Sequence, residues 1–413
     1  MNAVRQEGAA PAFDFFCPGI RMGLQTAVAL ESAALLRSAH VDACLRPGRA
    51  ARILECVAGP RVANRVVTGI PAERIHRHPQ LAIAARVRRH QLLSGQDTTA
   101  VERVLVRIYS SIARQCHSEA IVGIQSSCLE LFEGRAYRVM EQVSPPLRYE
   151  RAVAAQELAR FPGWAPERVT RSSAWDHRME AEWQAADLIW VPSSHLVSIS
   201  KEFGADPLKF HVIPYPFASP RPAGTIRNTG GRRILRVIFA GTLMLEKGVQ
   251  YIYEALRKRP DLPVQMDFFG PVNLTSLGVK RLTEVGTVHG PVPRAHLFEE
   301  FRQADLLLFP SLSEGNALVT LEAAALGLPV VATEEAGPPT SAMVIPSHSP
   351  EAIIEAIETL ADNPGQFEML SAAGLAEATK RSFAMYSDSI VDSIERLTGR
   401  QGGLVTNCPS DRT

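Results

Sequence analysis

The sequence has few of the features that mark several large classes of protein. Its 413 residues include only six cysteines, and no two of these form a Cys-x-x-Cys pair. Zinc ribbons and redox dithiols are therefore poor interpretations. A disulfide scaffold is equally poor, because no secretory signal pattern precedes the cysteines. We expect free thiols in a reducing compartment and a cytoplasmic location.

An excess of charge and a long apolar run are also missing. The formal net charge is +1, so the chain lacks the basic field that nucleic-acid-binding proteins carry. No apolar run approaches the roughly 18 residues that a membrane-spanning helix needs. Peripheral attachment at the inner face of a membrane stays open. The arginine cluster Arg86, Arg88 and Arg89 is most simply a solvated helix face, with an anionic acceptor or a membrane surface as the alternative.

The sequence does contain a regular alternation of short apolar runs with helical patterns, which is typical of parallel α/β domains. In the C-terminal part the predicted strands are Val237–Ala240, Gln265–Phe269, Gly286–His289, Asp305–Pro310, Pro329–Thr333 and Ala342–Ile345. The predicted helices are Val249–Arg259, Arg294–Gln303, Ala317–Leu326, Pro350–Asp362, Phe367–Lys380 and Ser389–Leu397. This pattern predicts a doubly wound, Rossmann-like domain.

The N-terminal part shows the same alternation less regularly. Its predicted strands are Phe13–Cys17, Val41–Leu45, Ala120–Ile124, Tyr137–Gln142 and Leu188–Pro192. Its predicted helices are Gln25–Ser38, Glu102–Arg114 and Glu180–Ala186. The sequence pattern does not assign residues 46–95 to helices or strands. A second Rossmann-like domain is the fold that this pattern favours.

Proline and glycine divide the chain into these two parts. Residues 218–233 have the composition of an interdomain linker. We therefore expect an N-terminal domain over 1–217 and a C-terminal domain over 234–397, whose last helix is a candidate to pack back on the N-terminal domain. Residues 398–413 are predicted to form a disordered tail. Two such domains enclose a cleft, which is a common location for ligand sites.

The segment 309–333 carries the strongest functional signal. Its loop contains Glu314 and follows a predicted strand at the carboxyl end, where parallel sheets bind ligands. Glu322 is the only charged residue in the stretch 315–332. A packed carboxylate needs strong hydrogen-bond donors. A neighbouring arginine would satisfy it, and so would the two vicinal hydroxyls of a ribose, and the pattern alone leaves both interpretations open.

A second informative segment, 237–248, includes Gly241 and Lys247. Gly241 follows a predicted strand and lets a ligand approach the backbone closely. Lys247 is one of only six lysines and stands where a helix begins. Its ammonium group could neutralise a departing diphosphate. The alternative interpretation is a solvated surface lysine.

Together the two segments resemble the retaining glycosyltransferases of family 4, which have the GT-B fold. The matching residues are Gly241, Lys247-Gly248, Pro310-Ser311, Glu314, Glu322-Ala323 and Gly327-Leu328-Pro329-Val330-Val331. Upstream, the matching residues are Glu182, Ala186-Asp187, Pro192-Ser193-Ser194 and Val212-Ile213-Pro214-Tyr215. The resemblance covers residues 172–397 and implies two Rossmann-like, doubly wound domains that face each other across a cleft.

The resemblance also implies a role for each matching position. The donor-binding residues that it implies are Gly241, Thr242, Lys247, Glu314, Gly315, Asn316, Ala317, Leu318, Glu322 and Val292. Lys247 would hold the diphosphate and Glu314 the hydroxyls of the donor sugar, so these two are the candidate catalytic residues. Glu322 would hold the ribose, and Val292 would flank the nucleobase.

One position departs from the family. Many members carry an arginine directly after the glycine that matches Gly241, whereas this chain has Thr242, whose hydroxyl supplies no charge. The first predicted strand–helix loop contains Gly19, Arg21 and Gly23 and is a candidate to touch the donor phosphate. Arg21 could then supply the missing charge. An ordinary glycine-containing turn is the alternative.

The expected reaction moves a hexose from a nucleotide diphosphate sugar, as co-substrate, to an acceptor hydroxyl, without a further cofactor. No Asp-x-Asp sequence occurs, so we expect catalysis without a metal ion.

The family's retention of anomeric configuration implies same-face attack, in which the leaving phosphate takes the acceptor's proton. We therefore name no general base. His117 and His177 lie near elements expected at the cleft, but a surface or core histidine is the favoured interpretation of each. The expected acceptor is a carbohydrate, a lipid-linked glycan or a small molecule in a bacterial polysaccharide, glycolipid or glycoside pathway.

Competing functions use the same residues differently. Thr242 motivates a catalytically weak homologue that acts as a binding or scaffold subunit. A nucleotide-sugar epimerase of the same fold is disfavoured by the combination of Lys247, Glu314 and Glu322. Paired carboxylates also occur in glycoside hydrolases, but a carboxylate within an apolar helix suits hydroxyl binding better. A nicotinamide-dependent oxidoreductase would need Gly-x-Gly-x-x-Gly, which the chain lacks. No sequence feature indicates an oligomeric state.

Overall fold

A computed structural model describes residues 11–19, 24–45, 66–93, 96–166, 174–217 and 234–399. The strands of the N-terminal sheet are Phe13–Cys17 (β1), Leu36–Val41 (β2), Ile75–Arg77 (β3), Ala120–Ile124 (β4), Tyr137–Glu141 (β5), Leu188–Val191 (β6) and Phe210–Val212 (β7). The strands of the C-terminal sheet are Leu235–Ala240 (β8), Val264–Phe269 (β9), Thr287–Gly290 (β10), Leu306–Phe309 (β11), Val330–Thr333 (β12) and Met343–Ile345 (β13).

Both sheets are parallel and doubly wound. The strand orders are β3-β2-β1-β4-β5-β6-β7 and β10-β9-β8-β11-β12-β13. In each sheet the chain winds outward in one direction from the first strand and then returns to its other side, which is the Rossmann arrangement. The predicted pair of Rossmann-like domains is confirmed.

Helices cover the sheets on both faces. In the N-terminal part these helices are Gln25–Ser32 (α1), Pro79–Leu93 (α2), Thr99–Ala113 (α3), Leu129–Phe132 (α4), Leu147–Arg160 (α5), Arg178–Ala185 (α6) and Ser194–Glu202 (α7). In the C-terminal part they are Val249–Lys258 (α8), Ser276–Thr283 (α9), Arg294–Gln303 (α10), Leu318–Ala325 (α11), Pro350–Asp362 (α12), Pro364–Lys380 (α13) and Phe383–Leu397 (α14). In the parts of the chain that the structure describes, no helix combines the length and the apolar character needed to cross a membrane.

Strand β1 shows why these apolar runs form central strands. All five of its residues are buried. Phe13, Phe15 and Cys17 pack into one hydrophobic cluster, whereas Phe16 packs into another. Successive side chains of a strand point to opposite faces, so a mostly apolar run is suited to a sheet covered by helices on both sides.

The second strand does not lie where the sequence pattern places it. The predicted helix Gln25–Ser38 ends at Ser32, and the strand predicted at Val41–Leu45 is instead β2, Leu36–Val41. The chain turns at Ala34, a non-glycine residue with φ 57°, so no glycine or proline marks the break. Ser38 and His40 are polar, but both are buried in the sheet.

Two helices join the domains by packing across them. Tyr386 of α14 lies with its hydroxyl 2.8 Å from Oγ1 of Thr26 in α1, and Ile390 and Ile394 enter the N-terminal hydrophobic core. In the other direction, Phe161 and Trp164, just beyond α5, belong to the C-terminal core. The predicted linker 218–233 and the tail from residue 400 onward lie outside the described residues.

The unassigned region contains β3 and α2 in its described parts. Arg86 and Arg89 of α2 are exposed, as expected for a solvated helix face. Arg88 differs, because its Nε lies 3.0 Å from Oε1 of Glu102 in α3 and its guanidinium stacks over the ring of Trp175. That arginine therefore fastens α2 to its neighbours.

A chain of buried hydrogen bonds crosses β1, β2 and the start of α2. Ser38 Oγ donates to Asp14 Oδ1 at 2.6 Å and lies 3.1 Å from Nε2 of His40, whose Nδ1 lies 3.0 Å from Nε2 of His78. Because the Ser38 proton goes to Asp14, Nε2 of a neutral His40 donates to Ser38, and Nδ1 accepts from His78. Burial, together with His76 and His78, lowers the pKa of His40 from 6.5 to about 4.

This lowered pKa predicts a loss of stability in mild acid. The unfolded chain binds a proton on His40 near pH 6.5, but the folded protein resists protonation down to about pH 4. The free energy of unfolding therefore falls as pH drops through this window, by about 2 kcal/mol between pH 7 and pH 5 from this one group. Burial also lowers the pKa of His78, which acts in the same direction.

Urea unfolding at the two pH values measures this loss in the wild type and in His40→Gln. We expect the variant to lose less stability than the wild type on acidification, because glutamine does not titrate. His296→Gln, at an exposed histidine on α10, serves as the matched control and should behave like the wild type. Identical pH dependence of all three proteins would contradict the assignment.

Candidate active site

The candidate site lies where the strand order of the C-terminal sheet reverses. β8 and β11 are neighbours at the centre of this sheet, and the chain leaves them toward opposite edges. The loops after their carboxyl ends therefore diverge and leave a crevice between them. These loops hold the two segments singled out in the sequence.

The loop after β8 is shaped by two glycines. A Cβ on Gly241 would lie 3.2 Å from the ring of Phe309, so a larger side chain would crowd β11. Gly248 ends a single 3-10 turn, Leu245–Lys247, with φ 73°, and a Cβ there would lie 1.9 Å from the carbonyl oxygen of Pro310. The backbone of this loop consequently packs directly on the loop after β11 and places Lys247 beside it.

Lys247 and Glu314 meet across the crevice. Nζ of Lys247 lies 2.6 Å from Oε1 of Glu314 and donates to the carbonyl oxygen of Ser313 at 2.8 Å. The side chains are 17% and 26% exposed, so the pair is half-buried but open to a ligand. The fold therefore brings together the two candidate catalytic residues from loops that are distant in the sequence.

Gly315 is where the N-terminal domain touches this loop. A Cβ on Gly315 would lie 2.0 Å from the carbonyl oxygen of Val143, which follows β5. Oγ of Ser193, which follows β6, donates to the carbonyl oxygen of Gly315 at 2.8 Å. The carboxyl ends of both sheets thus converge on Gly315.

The next residues form the entry to α11. The amide of Ala317 donates to the carbonyl oxygen of Ala336 at 2.8 Å, and α11 begins at Leu318. The Asn316 side chain donates to the carbonyl oxygen of Gly337 at 2.6 Å, while its Oδ1 is buried and finds no partner among the described residues. A buried acceptor without a donor is unusual, so Oδ1 is suited to a ligand hydroxyl.

Glu322 has an arginine partner in the structure. Nη2 of Arg294, at the start of α10, lies 2.5 Å from Oε1 of Glu322. Burial raises the pKa of Glu322, and the adjacent guanidinium opposes that shift. Glu322 is 13% exposed and Arg294 is 49% exposed, so the arginine covers the carboxylate from the solvent side. The arginine interpretation of Glu322 therefore describes the ligand-free protein.

Val292, which is predicted to flank the nucleobase, lies just beyond β10, the strand that contains His289. Val292 is half-buried against the C-terminal core. His289 stacks on Phe269 with ring centroids 4.3 Å apart, and its Nε2 lies 2.7 Å from Oδ1 of Asp267. This stacked pair packs β10 against β9.

The remaining candidates lie in separate parts of the chain. In the first strand–helix loop, a Cβ on Gly19 would meet no atom within 4 Å, and Arg21 and Gly23 lie outside the described residues. In the C-terminal domain, Thr242 follows Gly241 and is half-buried. His177 is exposed and contacts Glu180. His117 is exposed and precedes β4, so it is a surface histidine at the amino end of the sheet rather than a residue of the cleft.

Sequence reasoning missed two residues of this site, Arg294 and Val143. Neither carries a local signal for a role here, because each is defined by a contact made across the fold, whereas Ser193 lies in the matching Pro192-Ser193-Ser194 stretch. The sequence did indicate that a residue such as Arg294 is needed, because a packed carboxylate at Glu322 requires a cation or another hydrogen-bond donor. It did not indicate which residue supplies it. Within the described ranges, no cluster of three His, Cys, Asp or Glu residues could hold a metal ion.

A known protein family matches the C-terminal domain, which holds the crevice. Residues 235–363 match the family model for glycosyl transferases group 1. The match begins at β8 and ends just after α12, so it includes both loops of the crevice.

Curated relatives of this chain include two D-inositol 3-phosphate glycosyltransferases. The protein from Xylanimonas cellulosilytica is 26% identical over 226 residues, which is 48% of this chain and 54% of that protein. The protein from Arthrobacter sp. is 31% identical over 206 residues, which is 43% of this chain and 48% of that protein. The chain thus spans about half the length of the curated relatives it matches.

Solved structures resemble the whole described architecture. Anabaena Alr3699/HepE, in complex with UDP and glucose, superposes with a TM-score of 0.56 at 14% identity, over 94% of this chain and 100% of that one. The lipopolysaccharide outer core galactosyltransferase WaaB, in its apo form, gives 0.57 at 13% identity, over 93% and 99%. These likenesses and the two sheets establish the GT-B fold.

Proposed function

We propose that the protein transfers a hexose from a nucleotide diphosphate sugar to an acceptor hydroxyl, with retention of anomeric configuration and without a metal ion. The observation that carries this proposal is the Lys247–Glu314 pair, held at the switch point of a domain that matches glycosyl transferases group 1. A cation for a diphosphate and a carboxylate for sugar hydroxyls are thereby adjacent.

The geometry supports a division of labour in the crevice. Glu314 accepts hydrogen bonds from the donor sugar, and Oδ1 of Asn316 accepts another. Lys247 faces the diphosphate and stabilises the charge that develops as the bond to the sugar breaks. The acceptor hydroxyl attacks from the same face, and its proton passes to the departing phosphate. No protein nucleophile is required.

The charges of the ligand-free crevice are balanced before the donor arrives. Lys247 pairs with Glu314, and Arg294 pairs with Glu322, so these four side chains sum to zero. A diphosphate adds negative charge that needs further cations. We propose Arg21 for this role, because Thr242 supplies none. Arg294 contributes when the ribose hydroxyls take its place on Glu322.

Glu322→Ala is expected to weaken nucleotide-sugar binding at least tenfold, which corresponds to about 1.4 kcal/mol. The physical reason is the loss of the buried acceptor for two ribose hydroxyls. Saturation-transfer NMR of the folded protein with UDP-, GDP- and ADP-sugars, one at a time, measures it. UDP is the first nucleotide to test, since the Anabaena structure holds it.

The matched control is Glu299→Ala, which removes the surface partner of Arg302 on the neighbouring helix α10. This variant should bind like the wild type. If Glu322→Ala also bound like the wild type, Glu322 would be only the partner of Arg294 and the ribose assignment would be wrong. Selective contact with one nucleotide sugar supports the transferase, and contact with none in a folded protein would overturn it.

A second candidate function is a binding subunit without turnover. Thr242 and the balanced charges favour it, since both weaken stabilisation of a leaving diphosphate. Retained donor binding with no transfer to carbohydrate, lipid-linked or small-molecule acceptors would distinguish this function from the transferase.

A further inference from the structure

A second pocket lies at the opposite end of the N-terminal sheet from the crevice. It has a volume of about 400 Å³ and is lined by Asp14, Arg37, Ser38, His40, His76, Arg114, Gln115 and His117. Arg37 and Ser38 begin β2, and residues 114–117 lie between α3 and β4, so the pocket opens at the amino ends of the strands. The crevice is at their carboxyl ends, and a ligand in this pocket cannot contact it.

The floor of this pocket is polar and already satisfied. Asp14 accepts from Ser38 Oγ and, through Oδ2, from the amide of Ser118 at 2.8 Å. His40 contacts both Ser38 and His78 and is held neutral by its lowered pKa. The floor therefore presents fixed dipoles and one carboxylate whose oxygens are in use.

The rim of the pocket is cationic. Arg37 and Arg114 are both exposed, and neither guanidinium forms a salt bridge within the described residues. Two other arginines beside this sheet are paired by contrast, Arg74 with Glu31 and Arg138 with Asp187. Two unpaired guanidiniums at one opening are suited to a dianion, since arginine binds phosphate oxygens in a bidentate manner.

We infer that this pocket is a second ligand site, which binds a small phosphomonoester through Arg37 and Arg114. The phosphate lies at the rim, because the Asp14 carboxylate repels an anion from the floor. The volume exceeds that of a phosphate ion and falls in the range of small-molecule sites. The uncharged hydroxyl-bearing part of the ligand thus extends inward toward Gln115, His76 and His117. This inference does not depend on the proposed transferase activity.

Isothermal titration calorimetry of the full chain tests the inference, with glucose 6-phosphate as the probe. We expect saturable binding of one equivalent, weaker binding of inorganic phosphate and none of glucose. In the variant Arg37→Gln/Arg114→Gln, the affinity for glucose 6-phosphate should fall at least tenfold. Both side chains are exposed, so the variant should fold, and circular dichroism verifies that it does.

The matched control is Arg89→Gln/Arg103→Gln, which removes the same charge from exposed positions on α2 and α3 outside the pocket. It should bind like the wild type. Equal weakening in both double variants would assign the effect to overall charge and overturn the site. Absence of saturable binding would overturn it as well, and so would displacement of glucose 6-phosphate by UDP, which would place the sugar phosphate in the crevice. Binding of phosphate as tight as that of glucose 6-phosphate would overturn the assignment to an ester.

Discussion

Replacing Lys247 with alanine is expected to lower the rate of sugar transfer about a hundredfold. The ammonium group is the charge held at the switch point by two contacts, to Glu314 and to the Ser313 carbonyl. Because it is largely shielded from water, its interaction with the departing diphosphate of the proposed reaction would be stronger than that of a surface lysine. The measurement is kcat/KM with the nucleotide sugar that the NMR experiment selects.

Two variants control for other effects of removing this lysine. Lys258→Ala, on α8, breaks an exposed pair with Glu351 and should leave the rate unchanged. In Lys247→Ala, Glu314 also loses its partner, so Lys247→Ala/Glu314→Gln removes the unpaired carboxylate as well. If that double variant regained the wild-type rate, the lysine would serve only to neutralise Glu314, and its role on the diphosphate would be wrong.

Replacing Gly248 with alanine is expected to destabilise the C-terminal domain by about 4 kcal/mol. Two costs add at this position. The residue has φ 73°, which is strained for any residue with a Cβ, and that Cβ would lie 1.9 Å from the carbonyl oxygen of Pro310. Since the clash is with backbone, the two loops of the crevice must move apart. Urea unfolding of the purified variant measures the change.

Gly290→Ala separates these two costs. Gly290 has φ 72°, close to that of Gly248, but a Cβ added there would meet no atom within 4 Å. This control should lose only about 1 kcal/mol, which is the backbone strain alone. If both variants lost a similar amount of unfolding free energy, the loop after β11 would be able to move away from the added Cβ. The rigid contact between Gly248 and Pro310 would then be refuted.

The central strands were predictable because their sequences are short, mostly apolar runs. β1 and β4 lie where the pattern places them, and the strands of the C-terminal sheet begin and end within two residues of the prediction. A strand that is buried on both faces of a parallel sheet needs a mostly apolar composition. Such a run can be recognised in the sequence without knowledge of long-range contacts.

Elements with buried polar residues were harder to predict. Helix α5 carries Glu157, which is fully buried because Gln250 and Tyr251 of the other domain donate to it. No helix was predicted for this segment from the sequence. β2 was misplaced for a similar reason, since Ser38 and His40 are satisfied by partners distant in the sequence.

The sequence by itself determined the two doubly wound domains and named the polar residues at the carboxyl ends of β8 and β11. It could do so because strand composition and loop position depend on residues that are near one another in the chain. Only the tertiary structure decided that Lys247 pairs with Glu314, that Arg294 covers Glu322, and that Gly315 meets the N-terminal domain. These contacts join loops from separate strands, and their partners are set by how the sheets and helices pack.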